Sequence, residues 1–134
     1  MSGHYLLDTN ILSDVIRNPR GHVASHIRRT GIQQVCTSII VAAELRYGAT
    51  KSGSRRLWDR VTALLASLEI LPFEAPADVT YAELRAELER TGRLIGPHDL
   101  LIAAQALALG VTLVTDNQRE FARVPRLRIE NWLR

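Results

Sequence analysis

An α/β fold built on a mostly parallel sheet is the class this sequence predicts. Short apolar runs of strand length alternate with amphipathic segments of helix length along the whole chain. No internal repeat, low-complexity stretch or linker interrupts that alternation. With 134 residues, 46% of them hydrophobic and 23% charged, the chain suits one core and is too short for two independent ones. A single domain over residues 1–134 is therefore expected.

Tyr5-Leu6-Leu7 reads as a first buried strand, stopped by Asp8. Ile11, Leu12, Val15 and Ile16 then mark one face of a helix that ends near Asn18-Pro19. A polar helix follows around residues 23–29, and Val35-Cys36-Thr37 makes a second strand. Ser38 caps a helix running from Ile39 toward Gly48, apolar nearly all round. Leu57, Val61, Leu64, Leu65 and Leu68 fall at helical spacing, opposite Arg55, Arg56, Asp59 and Arg60. Ile70-Leu71 is a short third strand. Tyr81, Leu84 and Leu88 define a helix up to Gly92, the segment 93–97 breaks the pattern, and residues 98–109 form an apolar, buried helix closed by Gly110. Residues 111–114 give a fourth strand ended by Thr115-Asp116-Asn117. A short helix to Phe121 and a last strand near residues 127–129 complete the alternation.

Composition narrows the function. Cys36 stands alone, so no internal disulfide forms, and its place between Val35 and Thr37 is that of a buried strand residue. The first residues carry no signal-peptide pattern and no apolar run reaches membrane-spanning length, so a cytoplasmic protein with no membrane partner is expected. Seventeen basic against fourteen acidic residues give a net charge of +3, a mild preference for an anionic partner such as nucleic acid. Sixteen of those cations are Arg, which biased codon usage explains as well as phosphate recognition does. The sequence holds no glycine-rich nucleotide loop, no Gly-x-Ser-x-Gly turn and no His-Glu-x-x-His helix. His4, His22 and His26 share no ligand spacing and read as surface residues, while His98 adjoins Asp99.

Ligands of open α/β sheets bind beyond the carboxyl ends of the strands, where Asp8 and Asp116 fall. Most of the carboxylates lie in solvated stretches, but Asp8, Glu44, Asp99 and Asp116 are set among apolar residues. Glu44 is the most telling, because a carboxylate on an apolar helix is costly unless paired; an ion pair with Arg46 is its plain explanation. Asp8 and Asp116 as helix caps, and Asp99 as a first-turn acid, have plain explanations too. One convergent acidic pocket accounts for all four together. Carboxylates brought close repel and take up protons unless a cation neutralises them. Oxygen ligands without a Cys or His cluster select Mg²⁺ or Mn²⁺ over zinc. Such ions polarise phosphoryl oxygens and lower the pKa of bound water, as phosphodiester hydrolysis requires. Arg93 and Arg119 flank two of the acidic motifs and are candidate phosphate contacts, although the same positions suit solubilising arginines.

Taken together, Leu6-Leu7-Asp8-Thr9-Asn10, the central Glu44, the stretch Gly96-Pro97-His98-Asp99-Leu100-Leu101-Ile102-Ala103-Ala104 and Thr115-Asp116-Asn117-Gln118-Arg119-Glu120-Phe121 resemble the PIN-domain ribonucleases. The order and spacing cover essentially the whole chain. Arg85-Ala86-Glu87-Leu88, followed by Gly92-Arg93-Leu94-Ile95-Gly96-Pro97, is most similar to the VapC toxins of bacterial toxin–antitoxin pairs.

The resemblance implies a three-layer α/β/α sandwich and a Mg²⁺- or Mn²⁺-dependent endoribonuclease. Its acidic quartet has three members that map onto Asp8, Glu44 and Asp99, with Thr9 and Asn10 shaping the first turn and Thr115 beside the pocket. For the fourth acid, Asp116 is the first choice because it directly ends the strand, and Glu120, one helical turn on, is the second. Asn117 stands where some related chains carry the acid. The implied mechanism is metal-assisted attack of water on an RNA phosphodiester. The implied partners are structured tRNA, with the anticodon stem-loop of initiator tRNA as one target, a small VapB-like antitoxin that blocks the pocket, a second copy of the chain, and promoter DNA reached through the antitoxin. The apolar face of residues 57–68 suits an amphipathic antitoxin helix, or ordinary core packing. Two other readings stay open on the sequence: a non-catalytic RNA-binding or protein-interaction module of the same fold, and a DNA nuclease using the same acids.

Overall fold

The computed structural model describes residues 4–134. In chain order the elements are β1 (Tyr5–Leu7), α1 (Thr9–Arg17), α2 (His22–Thr30), β2 (Val35–Ser38), α3 (Ile39–Ser52), α4 (Arg55–Ala66), β3 (Glu69–Leu71), α5 (Ala77–Arg90), α6 (Pro97–Leu109), β4 (Thr112–Val114), α7 (Gln118–Phe121) and β5 (Ile129–Glu130). A 3-10 turn over Ile32–Gln34, which the sequence pattern did not predict, leads into β2. The five strands form one sheet in the order β3-β2-β1-β4-β5, and every pairing is parallel. Tyr5 pairs with Val35 on one side and with Thr112 on the other, which sets the register of the centre.

Alternation of strand and helix leaves the central strands covered on both faces, so β2 is buried throughout and β1 and β4 nearly so, whereas the edge strands β3 and β5 are partly exposed. The chain winds outward from β1 to β3 and then crosses back past β1 to β4. With right-handed crossovers, that reversal lays α1–α4 and α5–α6 on opposite faces, giving the expected three layers. The point of reversal lies between β1 and β4, where the Asp8 amide donates to the Val114 carbonyl at 2.9 Å. A crevice for ligand opens at such a point, beyond the carboxyl ends of the strands.

Local chemistry fixes the helices that carry the site. Asp8 caps α1 and Ser38 caps α3, each side chain accepting a backbone N–H of the first turn. The α3 helix continues past Gly48, where the sequence suggested its end, because the residue that adopts the left-handed conformation is Gly53. Pro97 opens α6, and Gly110, at φ +69°, closes it. Gln105, buried within α6, accepts the Ser38 hydroxyl and donates to the carbonyls of Leu71 and Pro72, so one amide ties α6 to the ends of β2 and β3.

Two sequence expectations need correction. The final strand lies at Ile129–Glu130, slightly later than the apolar spacing indicated. His26 is not a surface residue: its ring stacks on Trp132, with centroids 3.9 Å apart and planes 6° from parallel. Trp132 is 1% exposed and also meets Tyr5, so the C-terminal segment belongs to the core.

Candidate active site

Asp8 follows β1 and is 4% exposed. Its Oδ1 accepts the Thr9 N–H and its Oδ2 accepts the Thr115 hydroxyl, both at 2.8 Å. Burial raises its pKa; the bonds from Thr115 and Thr9 pull the other way, and the charges of Glu44 and Glu120 add to the rise. Asp8 is thus a helix cap and also a buried acid facing two others.

Glu44 projects from the middle of α3 and is half-buried. The Thr9 hydroxyl donates to its Oε1 at 2.8 Å, and His98 Nδ1 stands 3.5 Å from Oε2. Arg46, the plain partner suggested by sequence, turns away: its guanidinium lies 4.5 Å over the Trp58 ring and bonds the Thr62 hydroxyl. Thr9, Glu44, Tyr47 and His98 line one cleft of about 620 Å³ with Ile40 and Ala43.

Asp99 lies in the first turn of α6. Burial, a hydrogen bond to Glu120, and the charges of Glu120, Asp8 and Glu44 push its carboxyl up to about 7. Glu120 is held below the usual carboxylate range by Asp99 and by the Gly96 N–H, which donates to Oε1 at 2.7 Å. The two carboxyls therefore compete for a proton, and Asp99 binds it the more tightly. Asn117 Nδ2 donates to Glu120 Oε2 at 2.6 Å and approaches Asp99 Oδ2 at 3.4 Å. The Asn117 amide N–H donates to the Thr115 hydroxyl oxygen, which links this pair to Asp8.

The structure thus brings Asp8, Glu44, Asp99 and Glu120 into one electrostatic group, and the first-choice fourth acid, Asp116, stands outside it. Asp116 is exposed; its carboxylate accepts from Asn131 and its backbone N–H donates to the Asn10 side chain. Thr115 is fully buried and its side chain points inward, so the next residue along extended chain points out. Arg93 and Arg119 are exposed. One charged neighbour escaped the sequence reading: Arg123, whose guanidinium helps keep Glu120 ionised. Its signal was the three-residue spacing from Glu120.

The donor set fits a hard divalent cation. All four groups are carboxylates, and no Lys or Arg is among the neighbours that shift Asp8 or Asp99, so Arg123 offsets charge at Glu120 while the repulsion on those two acids stands. Among the described residues no three His, Cys, Asp or Glu side chains are drawn together as a closed metal shell. The acids stand instead as held pairs, Asp8 with Thr115, Glu44 with Thr9, and Asp99 with Glu120.

An all-parallel sheet with an acidic group at its switch point defines a class, and a model of the PIN domain matches residues 5–127. Ribonuclease VapC2 of Rickettsia felis is 42% identical over 130 residues, covering 96% of this chain and 97% of the relative. The tRNA(fMet)-specific endonuclease VapC of Salmonella typhimurium is 37% identical over 129 residues, with the same coverage. Among solved structures, Rickettsia felis VapBC2 bound to a DNA fragment from its promoter superposes with a TM-score of 0.90 at 40% identity, over 96% of this chain and 98% of that one. The chain belongs to the PIN-domain family, within its VapC-type ribonuclease toxins of toxin–antitoxin systems.

Proposed function

We propose that this protein is a Mg²⁺- or Mn²⁺-dependent endoribonuclease toxin that hydrolyses RNA phosphodiesters through Asp8, Glu44, Asp99 and Glu120. The observation that carries the reading is the gathering of these four carboxylates, from four separate parts of the chain, at the sheet's switch point, where the charges of its neighbours raise the pKa of Asp8 and of Asp99. Asp8 and Asp99 are the direct ligands; Glu44 and Glu120 complete the set or position water. The bound ion would polarise the phosphoryl oxygen and acidify water. The chain's own part is orientation: Thr9 and Thr115 fix Glu44 and Asp8, and Gly96 and Asn117 fix Glu120. As a ligand, Asp99 would hold the cation in its ionised form, so binding would release its proton.

Structured tRNA is the proposed substrate, with the anticodon region of initiator tRNA as the first candidate, supported by the similarity to the Salmonella enzyme. A VapB-like antitoxin is the proposed partner, supported by the likeness to VapBC complexes, and it would make the promoter DNA contacts. A second copy of the chain is proposed on the surface where α3 leaves Ile39 and Tyr47 exposed. The setting is cytoplasmic; among the described residues no helix is long and apolar enough to cross a membrane.

The test is cleavage of a total tRNA pool with Mg²⁺, Mn²⁺ or chelator, beside Asp99→Asn and Glu120→Gln. Discrete metal-dependent products, lost in both variants, are expected. Folded, antitoxin-free protein that cuts no RNA with either ion would leave the non-catalytic module as the reading.

A further inference from the structure

We infer that Arg93, Arg119 and Arg123 form a docking rim for the phosphate backbone of RNA, on the Asp99–Glu120 side of the acidic group. This rests on the ribonuclease reading above. An RNA strand that brings one phosphate to four carboxylates is repelled by them, and a cation bound there offsets charge only locally. Phosphates on either side of the reacting one need cations supplied by the protein.

The fold supplies them at one edge. The loop before α6 and the turn of α7 are fastened together: Glu120 accepts the Gly96 N–H at 2.7 Å, and Arg123 Nη1 donates to the Leu94 carbonyl at 3.1 Å. This brings Arg93, next to Leu94, alongside the segment that holds Arg119 and Arg123. Arg119 lies within α7 and Arg123 in the turn that follows it, where the Arg123 N–H bonds the Glu120 carbonyl at 3.1 Å, so the two bracket Glu120 in sequence. All three arginines are exposed. Among the described residues Arg93 and Arg119 have no carboxylate partner, and Arg123 spends one of its five N–H donors on the loop.

Two further arginines near this edge are committed. Arg126 pairs with Glu87, and Arg128 bonds the Gly110 carbonyl at the opposite end of β4. An exposed cluster farther away, on α4, is partly neutralised, with Arg55 paired to Asp59 at 3.3 Å. Planar guanidiniums exposed on one edge beside the acids, Arg93 and Arg119 without a carboxylate partner and Arg123 near Glu120, fit phosphodiester oxygens.

The experiment is fluorescence anisotropy of a labelled RNA hairpin with full-length protein in chelator, over a KCl series, so that binding is read without cleavage. The Arg93→Ala, Arg119→Ala, Arg123→Ala triple variant is expected to weaken binding by about tenfold or more and to lower the salt slope by about two to three, roughly one per phosphate contact. The matching triple Lys variant keeps the charge and most of the slope, which separates phosphate contact from a loosened loop. Arg55→Ala with Arg56→Ala, on α4, leaves both quantities unchanged. An Ala triple variant with unchanged affinity and slope would overturn the rim, as would loss of affinity for duplex DNA of the same sequence with RNA binding intact. Parent protein that cleaves RNA in Mg²⁺ while the triple variant binds normally removes the rim alone. Parent protein that neither binds nor cleaves RNA removes the ribonuclease reading with it.

Discussion

Asn117 donates a 2.6 Å hydrogen bond to Glu120, and the same nitrogen stands 3.4 Å from Asp99. A neutral amide therefore sits at a position where an acid would add to the repulsion of the group. Asn117→Asp keeps the shape, removes the donor and brings a third carboxylate against the pair. The expected result is a metal-free protein whose melting temperature drops by about 2–5 °C, on the scale of one charge-assisted hydrogen bond in a partly exposed site. The Mg²⁺-induced rise in melting temperature should exceed that of the parent. Melting curves with and without the ion check both, and unchanged values would make Asn117 a bystander.

The proton on Asp99 gives the cation site a pH dependence. Its carboxyl, pushed up to about 7 by burial first and then by Glu120, binds a proton more tightly in the folded state than the usual carboxylate does in the unfolded one. In metal-free protein this group's contribution to stability is greatest in acid and is lost as pH rises toward about 7. A divalent cation must displace that proton, so its stabilising effect grows in the same direction. The Mg²⁺-induced shift in melting temperature should be larger at about pH 8 than at about pH 6, and Asp99→Asn should abolish the difference.

Three of the four acids that the structure gathers could be singled out because each is set among apolar residues, although each also had a plain explanation as a cap, a first-turn acid or an ion-pair partner. Asp8 ends an apolar strand, Glu44 interrupts an apolar helix, and Asp99 opens one. The fourth could not, because choosing between Asp116 and Glu120 depends on which way the chain faces as it leaves β4. Thr115 points inward and its successor points out, toward Asn131, while Glu120 returns to the pocket one turn later. A strand only three residues long shows too little alternation to reveal that phase. The sheet itself was readable from the apolar runs. The end of α3 was misplaced because glycine is tolerated inside a helix and Gly48 lies there, with Gly53 making the left-handed cap. The His26–Trp132 stack joins residues 106 positions apart and has no local signature.

That stack supplies a prediction about stability. Trp132→Ala removes a buried indole and should cost about 3–5 kcal/mol by urea denaturation. Burial, then Arg29, lowers the His26 pKa below its ordinary value, with Glu130 opposing. The unfolded chain therefore takes up the proton more readily, and this contribution to stability is present above about pH 6.5 and lost as pH falls below it. His26→Phe keeps the stack and should flatten the stability profile between about pH 7 and pH 5. A slope equal to the parent's would mean that other groups set it.

Asp8 decides between a cap and a catalytic acid, because one substitution separates the two roles. Asparagine caps helices about as well as aspartate does. In Asp8→Asn the side-chain oxygen still accepts the Thr9 N–H, and the new amide can donate to the Thr115 hydroxyl oxygen now facing Oδ2. The charge is lost, and with it the cost of burying an acid whose pKa the fold raises through burial and the charges of Glu44 and Glu120. The melting temperature should hold or rise, while RNA cleavage falls on the order of 100-fold or more. If Asp8 served only as a cap, neither stability nor cleavage would move. A fall in both would mean that the charge itself holds the turn together, which the repulsion from Glu44 and Glu120 argues against.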